Sequence, residues 1–424
     1  MTESPQPPVR VAIACGGTGG HLFPGLAVAE QLAGRGCAVT LIISHKDVDQ
    51  RAAESISGMD VLTVPAVGLS RGGEMIFVRK FLQSYRAAAK RFRSYPPQAA
   101  LAMGGFTSAP PILAARRTGA RTFLHESNTI PGRANRWLSR IVHRAFVGFP
   151  TAAGRLHNRN VTITGTPVRR HFRAREAAIC RASVGLDPAR PVLLVMGGSQ
   201  GASGVNQLVL QSLPLLASRT PHWQWFHIAG PGDAVKVAQA YKGLGLKAVT
   251  HPFFAQMELA LGAATVAVCR AGASSLAELA AMRVPAVLIP YPAATDNHQF
   301  HNARAFEATG AARLLEQKTA TPEILIQLLS DLMEKPAVHA KMQAALAPWH
   351  TPNAAEQIVE AMLAVVGARA GQAAHTERRS TPSPDCTTLD RRAGSGPSGL
   401  PLSGHRRIGR RVADQAPIAA GRIA

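Results

Sequence analysis

The segment "GGTGGH", Gly16 to His21, joins the apolar run "VRVAIAC" to the helix-forming stretch "LFPGLAVAEQLAGRG". Glycines admit backbone shapes that a side chain forbids and let a ligand lie directly on the main chain. A strand feeding such a loop into a helix N-terminus makes a general anion site. A phosphate cradle has no need of the histidine. An imidazole at the loop exit titrates near neutrality, which suits a general base for a hydroxyl group; the plain alternative is a histidine that packs or caps. The segment "RAGASSLAEL" poses a similar choice. Ser275 and Glu278 have the S-x-x-E spacing of a capping box, and spacing alone favours that role. The other role makes Glu278 a ribose ligand, its carboxylate accepting from two hydroxyls beside a helix end whose dipole favours negative charge. "DVD", Asp47 to Asp49, is read as first-turn helix acids, and no metal is assigned.

These groups need elements to hold them, and the chain alternates apolar strands with helical stretches, the pattern of α/β layers. "VRVAIAC", "AVTLIIS", "QAALAM", "RTFLHE" and "RAFVGF" are the strands expected in the first half. The second half restarts with "PVLLVMGGSQGASGVNQLVL", again strand, glycine loop and helix, and continues through "WQWFHIAG", "KAVTHPF", "TVAVC", "PAVLIPYP" and "AARLLE". Two Rossmann-like units in tandem, with the ligand in the cleft between them, follow from that repetition. A dinucleotide site fails because "GGTGGHLFPG" does not fit G-x-G-x-x-G and the second strand ends "LIISHK" without a ribose-binding acid. A Walker-type loop fails for want of G-x-x-x-x-G-K-[ST]. Separate glycine loops suit a diphosphate whose far ends are gripped by different domains.

The 424 residues suffice for two domains. Five scattered cysteines, none in C-x-x-C, speak against a disulfide framework or a zinc site and fit a reducing cytosol. The start has no apolar signal core and no stretch reaches a membrane span, so the chain is expected to be cytosolic. A net charge of +22 invites nucleic acid as a partner, but zinc-finger spacing, an aromatic RNA signature and a basic zipper are all missing, and nucleic acid is not expected. From Gly371 onward nine arginines face four acids in a Gly-, Pro- and Ser-rich stretch, which is expected to be disordered.

"GGTGGHLFPGLAVA", "MGGFTSAP", "HESN", "GTPVR", "GGSQGASGVN", "CRAGASSLAELA" and "TDNHQFHNA" occur in the order found in the bacterial MurG family, and the chain resembles that family from about residue 9 to 367. The resemblance implies a GT-B fold, with two Rossmann-like domains facing a central cleft. It implies an acceptor and membrane domain over 1–168, a UDP-GlcNAc domain over 169–352 and a helix near 353–367 returning to the first domain; the basic segment over 368–424 is expected, from its composition, to be a disordered C-terminal tail. It also implies an inverting transferase that moves N-acetylglucosamine from UDP-N-acetylglucosamine to lipid I, giving lipid II for the cell wall, with no cofactor. His21 then matches the base that takes the proton of the muramoyl 4-hydroxyl. Thr18, Gly19 and Gly20 resemble the diphosphate surface, Asn128 a sugar contact, Arg169 a diphosphate-side arginine and Ser199 a phosphate ligand. Phe254 falls where the family reads uracil with its backbone. Ala273, Ser274, Ser275, Leu276, Ala277 and Glu278 resemble the ribose and phosphate loop, which tips Glu278 towards ligand, and His298 and Gln299 sit at the sugar. The chain departs from the family at "FAQM", where "IDDM" is usual, at Ser127, and in its tail, whose arginine-only basic content could come from an altered reading frame.

A span-free enzyme must still reach a lipid-linked substrate. "GEMIFVRKFLQSYRAAAKRFRSY" sets Phe77, Phe81 and Tyr85 at four-residue spacing among Arg79, Lys80, Arg86, Lys90, Arg91 and Arg93. The segment near 75–93 is expected to rest on an anionic membrane, against the plain alternative of an aromatic stripe turned to the core. The expected location is the cytoplasmic face of the plasma membrane, with cell-wall and division machinery as further partners. A related transferase with another acceptor, or a non-catalytic UDP-sugar scaffold, are the competing functions.

Overall fold

Strands buried on both faces read as unbroken apolar runs, and such runs build two parallel sheets. The computed structural model describes residues 7–17, 19–46, 49–50, 58–65, 73–198 and 201–380. The first half runs β1 (Arg10–Ala14), α1 (Gly19–Ala33), β2 (Ala38–Ser44), β3 (Asp60–Val64), α2 (Glu74–Ser94), β4 (Ala99–Ala102), α3 (Ala109–Arg117), β5 (Arg121–Glu126), α4 (Arg133–Leu138), β6 (Arg144–Val147), α5 (Pro150–Ala153) and β7 (Val161–Ile163). The second half runs α6 (Ala177–Ser183), β8 (Val192–Met196), α7 (Ser203–Arg219), β9 (Gln224–Ile228), α8 (Ala234–Gly243), β10 (Ala248–His251), α9 (Met257–Ala263), β11 (Val266–Cys269), α10 (Ala273–Met282) and β12 (Ala286–Leu288). It closes with α11 (His298–Ala308), β13 (Arg313–Leu314), α12 (Pro322–Glu334), α13 (Pro336–Leu346) and α14 (Ala354–Ser380).

The strand orders are β3-β2-β1-β4-β5-β6-β7 and β10-β9-β8-β11-β12-β13. β1 pairs with both β2 and β4, and β8 with both β9 and β11, so each sheet reverses its winding at the strand that feeds a glycine loop. A crevice opens beyond the C-terminal end of such a strand. Gly16 sits where a methyl group would run into the backbone of Ile43 and Ser44, so only glycine lets the loop turn there.

Val11, Ile13, Leu22, Leu26, Leu41, Ile43 and Leu101 form one face of the first core, and Ala355, Ile358, Val359 and Met362 of α14 pack into it. Arg35 holds the same helix through Glu356 and Glu360 at 3.2 and 3.1 Å. The helix expected near 353–367 spans Ala354–Ser380. Residues 381–424 lie outside the described residues. By contacts, the chain divides into Met1–Ala373, which holds both sheets, and Ala374–Ala424.

α2 corrects the expected membrane stripe. Phe81 and Tyr85 pack on the sheet beside Ala88 and Phe92, and Phe77 meets Phe106 edge-on at 5.4 Å. The aromatic stripe therefore faces inward. The opposite face exposes Met75 (87%), Ile76 (61%), Val78 (53%) and Leu82 (45%), with Arg79, Lys80, Arg86, Lys90 and Arg93 beside them. Arg91 is spent on Asp60, at 2.5 Å, and lies over the Tyr95 ring.

Candidate active site

A cleft of about 1190 Å³ lies between the two sheets. Gly19, Gly20, His21, Asn128, Arg169, Phe254, Ala273, Ser274, Ser275, Glu278, His298 and Gln299 all line it. Leu276 and Ala277 do not. Both are buried on the far side of α10, Leu276 in the core of the second half, because a helix turns consecutive residues to different faces. Thr18 and Ser199 lie outside the described residues.

His21 stands in the first turn of α1. Its ring rests against Gly104 and Gly105, whose φ values of +122° and +73° suit glycine, and a methyl group on Gly104 would come within 2.8 Å of His21 Nε2. Burial and the neighbouring His298 push the imidazole down to about 4, with Asp49 opposing and Lys46 adding. The ring is therefore neutral at pH 7 and keeps one basic nitrogen. Behind it His125, also pushed down to about 4 by burial, donates from Nε2 to the Gly165 carbonyl at 3.0 Å.

Asp49 is helical, as expected, and also holds the glycine loop. Its fully buried carboxylate accepts from Gly17 N at 2.7 Å, Ser44 N at 3.0 Å and Ser44 Oγ at 2.5 Å. Lys46 Nζ donates to the Gly17 carbonyl at 2.8 Å. The acid ties the glycine loop to the end of β2. Asp47 lies outside the described residues.

Across the cleft, α10 starts at Ala273 with Gly272 as its cap residue and no side-chain cap hydrogen bond. Ser275 is therefore inside the helix and the capping box is not formed. Glu278 turns to the cleft, where burial pushes its carboxyl up to about 7 against Arg169 and with help from Glu258. Arg169 lies over the rings of Phe23 and Phe172, at 4.7 and 5.3 Å from their centroids, and its Nε has no hydrogen-bond partner. Ser274 Oγ donates to the Gly20 carbonyl at 3.1 Å, so the start of α10 touches the residue before His21. Phe254 stacks edge-on against Phe226 at 5.0 Å. His298 donates from Nδ1 to the Thr295 carbonyl at 2.7 Å, and Gln299 Oε1 accepts from Tyr291 N at 2.9 Å.

Helix N-termini at α7 and α10 and an aromatic-backed arginine can hold a diphosphate, and a neutral imidazole faces them. Known proteins share the arrangement. The Glycosyltransferase family 28 N-terminal domain matches residues 11–147 and the Glycosyltransferase family 28 C-terminal domain matches 192–359. A UDP-N-acetylglucosamine--N-acetylmuramyl-(pentapeptide) pyrophosphoryl-undecaprenol N-acetylglucosamine transferase of Anaeromyxobacter sp. (strain Fw109-5) is 34% identical over 379 residues, 87% of this chain and 97% of that one.

The chain belongs to the MurG family.

A transferase of the same description from Xanthomonas euvesicatoria pv. vesicatoria (strain 85-10) is 36% identical over 374 residues, 87% of this chain and 84% of that one. The crystal structure of Acinetobacter baumannii MurG superposes with a TM-score of 0.65 at 27% identity, covering 84% of this chain and 99% of that one. Two parallel-sheet domains around a cleft are thus the GT-B arrangement of a family glycosyltransferase.

Two cleft-lining groups, Glu126 and Arg270, and one buried residue beside them, Asn302, escaped the sequence reading. Buried Glu126 accepts from Asn128 N at 2.9 Å, Asn128 Nδ2 at 3.1 Å, Gly132 N at 3.0 Å and Asn135 Nδ2 at 2.9 Å. Buried Arg270 donates to the carbonyls of Ile289 and Pro290, both at 3.1 Å, and lies over the Tyr291 ring. Asn302 is fully buried on α11. The acid ending "RTFLHE" and the arginine ending "AVCR" were the available signals, since a charge closing an apolar strand must find partners.

Proposed function

We propose that the chain transfers N-acetylglucosamine from UDP-N-acetylglucosamine to the 4-hydroxyl of the muramoyl sugar of lipid I, with inversion, forming lipid II for peptidoglycan synthesis. The observation that carries it is the Ser274–Gly20 contact, which brings the start of α10 against the loop that presents His21. Donor phosphate and acceptor hydroxyl then meet within one cleft, replacing a bimolecular search by an oriented encounter.

His21 takes the proton of the 4-hydroxyl. The oxygen's electron pair attacks the anomeric carbon from the face opposite UDP, and the bond from that carbon to the β-phosphate oxygen breaks with its electrons leaving on the diphosphate. One displacement inverts the centre. The growing negative charge meets the N-termini of α7 and α10 and Arg169, donors already oriented before reaction. That same charge favours the imidazolium, raising His21 from about 4 towards the working pH when the donor is bound. Glu278 accepts from the ribose hydroxyls, and the backbone at Phe254 reads uracil. Asn128, His298 and Gln299 contact the sugars, while Thr18, Gly19, Gly20 and Ser199 line the phosphates. Residues 1–168 serve the acceptor and 169–352 the donor.

Among the described residues no helix is long and apolar enough to cross a membrane. The chain reaches its lipid substrate by resting the outer face of α2 on the cytoplasmic leaflet, inserting Met75, Ile76, Val78 and Leu82 while each nearby basic group adds about 1 kcal/mol. Radiolabelled UDP-N-acetylglucosamine with a lipid I analogue tests the function. Label in a lipid II product is expected. Turnover only on another acceptor, or donor binding without transfer, overturns it.

A further inference from the structure

We propose that Asn302 is a positioning residue that couples closure of the cleft to the orientation of Asn128, an inference that rests on the transferase function above. Asn302 is 0% exposed, and its partners belong to two separate segments. Its Oδ1 accepts from Thr129 N and Thr129 Oγ1, both at 3.0 Å. Its Nδ2 donates to Asn128 Oδ1 at 3.0 Å and to the Ala271 carbonyl at 3.2 Å. One carboxamide thus uses two donor hydrogens and two acceptor sites, the full set such a group offers.

The geometry fixes which way Asn128 points. Its Oδ1 faces an N–H of Asn302 and its Nδ2 faces Glu126 Oε1 at 3.1 Å, so turning the amide over would set oxygen against oxygen and hydrogen against hydrogen. Thr129 and Asn128 follow β5 in the first sheet, whereas Asn302 and Ala271 belong to the second half. Three of the four bonds therefore exist only while the halves are together, and the Ala271 bond alone survives opening. Arg136, on α4, pairs with Asp296 at 3.1 Å close by, giving a weaker, partly exposed contact between the same halves. Asn302 lies three residues after Gln299 on α11, so a helix that presents one cleft side chain also carries the clasp.

Asn302→Leu removes the amide at similar volume, and Thr129→Val removes a single bond and keeps the fold safe. Each full-length variant is assayed for kcat, for KM of both substrates and for UDP affinity, and amide exchange is followed at Thr129. Misplacement by about 1 Å costs on the order of 10²-fold in rate. The expectation for Asn302→Leu is a fall in kcat of that order, UDP affinity within about fivefold, and exchange at Thr129 at least tenfold faster; Thr129→Val shows a smaller fall in kcat. Parent-like kcat in both variants, unchanged exchange at Thr129, or a loss confined to UDP affinity would each overturn the proposal. Failure of the parent to transfer to lipid I would instead strike the function, leaving the exchange result to judge the clasp.

Discussion

Replacing Glu278 by Gln should stabilise the unliganded protein at pH 8 and leave it unchanged at pH 4. The carboxyl ordinarily ionises at 4.5, and burial carries it to about 7 in the folded chain, against Arg169 and with help from Glu258. Below pH 4.5 the folded and unfolded chains both keep the proton. Between 4.5 and about 7 the unfolded chain gives it up first, so stability falls as pH rises, and above about 7 the loss is complete. At about 1.4 kcal/mol for each tenfold step, the cost amounts to roughly 3 kcal/mol. Glutamine does not titrate and escapes it. Chemical denaturation of both proteins at pH 4 and pH 8 measures the difference. The ribose role adds a second signature. Hydroxyls that donate to Glu278 favour its ionised form, so UDP affinity of the parent should weaken below pH 7, approaching tenfold per pH unit. The Glu278→Gln variant should bind UDP more weakly at pH 8 and without that slope. Equal stability at pH 8, or one pH dependence of UDP affinity shared by both proteins, would refute the reasoning.

His21→Ala should cut transfer by about 10² to 10⁴ while UDP affinity, measured by calorimetry, stays within a few-fold. Asp49→Ala removes three hydrogen bonds, one to the glycine loop at Gly17 and two to Ser44 at the end of β2, and should lower stability by on the order of 3 kcal/mol, with a parallel loss of turnover at temperatures where the protein stays folded. Changing Arg79, Lys80, Arg86 and Lys90 to Glu should abolish the salt-sensitive part of vesicle binding in co-sedimentation, whereas Met75→Ser with Leu82→Ser should weaken the part that resists salt. Vesicle binding indifferent to lipid charge would remove α2 as the anchor.

Much of this protein is legible in its residues because the signals are local. "AVTLIIS" and "RTFLHE" match β2 and β5 residue for residue; the first is the largely apolar run of a strand buried on both faces, and the second has a Phe-Leu centre between polar ends whose buried Thr122, His125 and Glu126 all find partners. The glycine loops and His21 announced a cleft because only glycine fits where the turn is that close. The short edge strands β3 and β7 gave no comparable signal: at five and three residues, partly exposed at the sheet margins, they are too short for their pattern to stand out. Other questions had answers only in three dimensions. "SSLAE" has the spacing of a capping box, and the start of α10 at Ala273 removes that role by placing Ser275 inside the helix. The phenylalanines of α2 and its aliphatic residues are both apolar stripes, and only the neighbouring sheet selects which one is buried. Asn302 and Thr129 are bonded across 173 residues of sequence, with no period or spacing to link them. Local chemistry dictates strands, loops and helix ends, whereas the pairing of buried polar groups depends on what the folded chain brings opposite them.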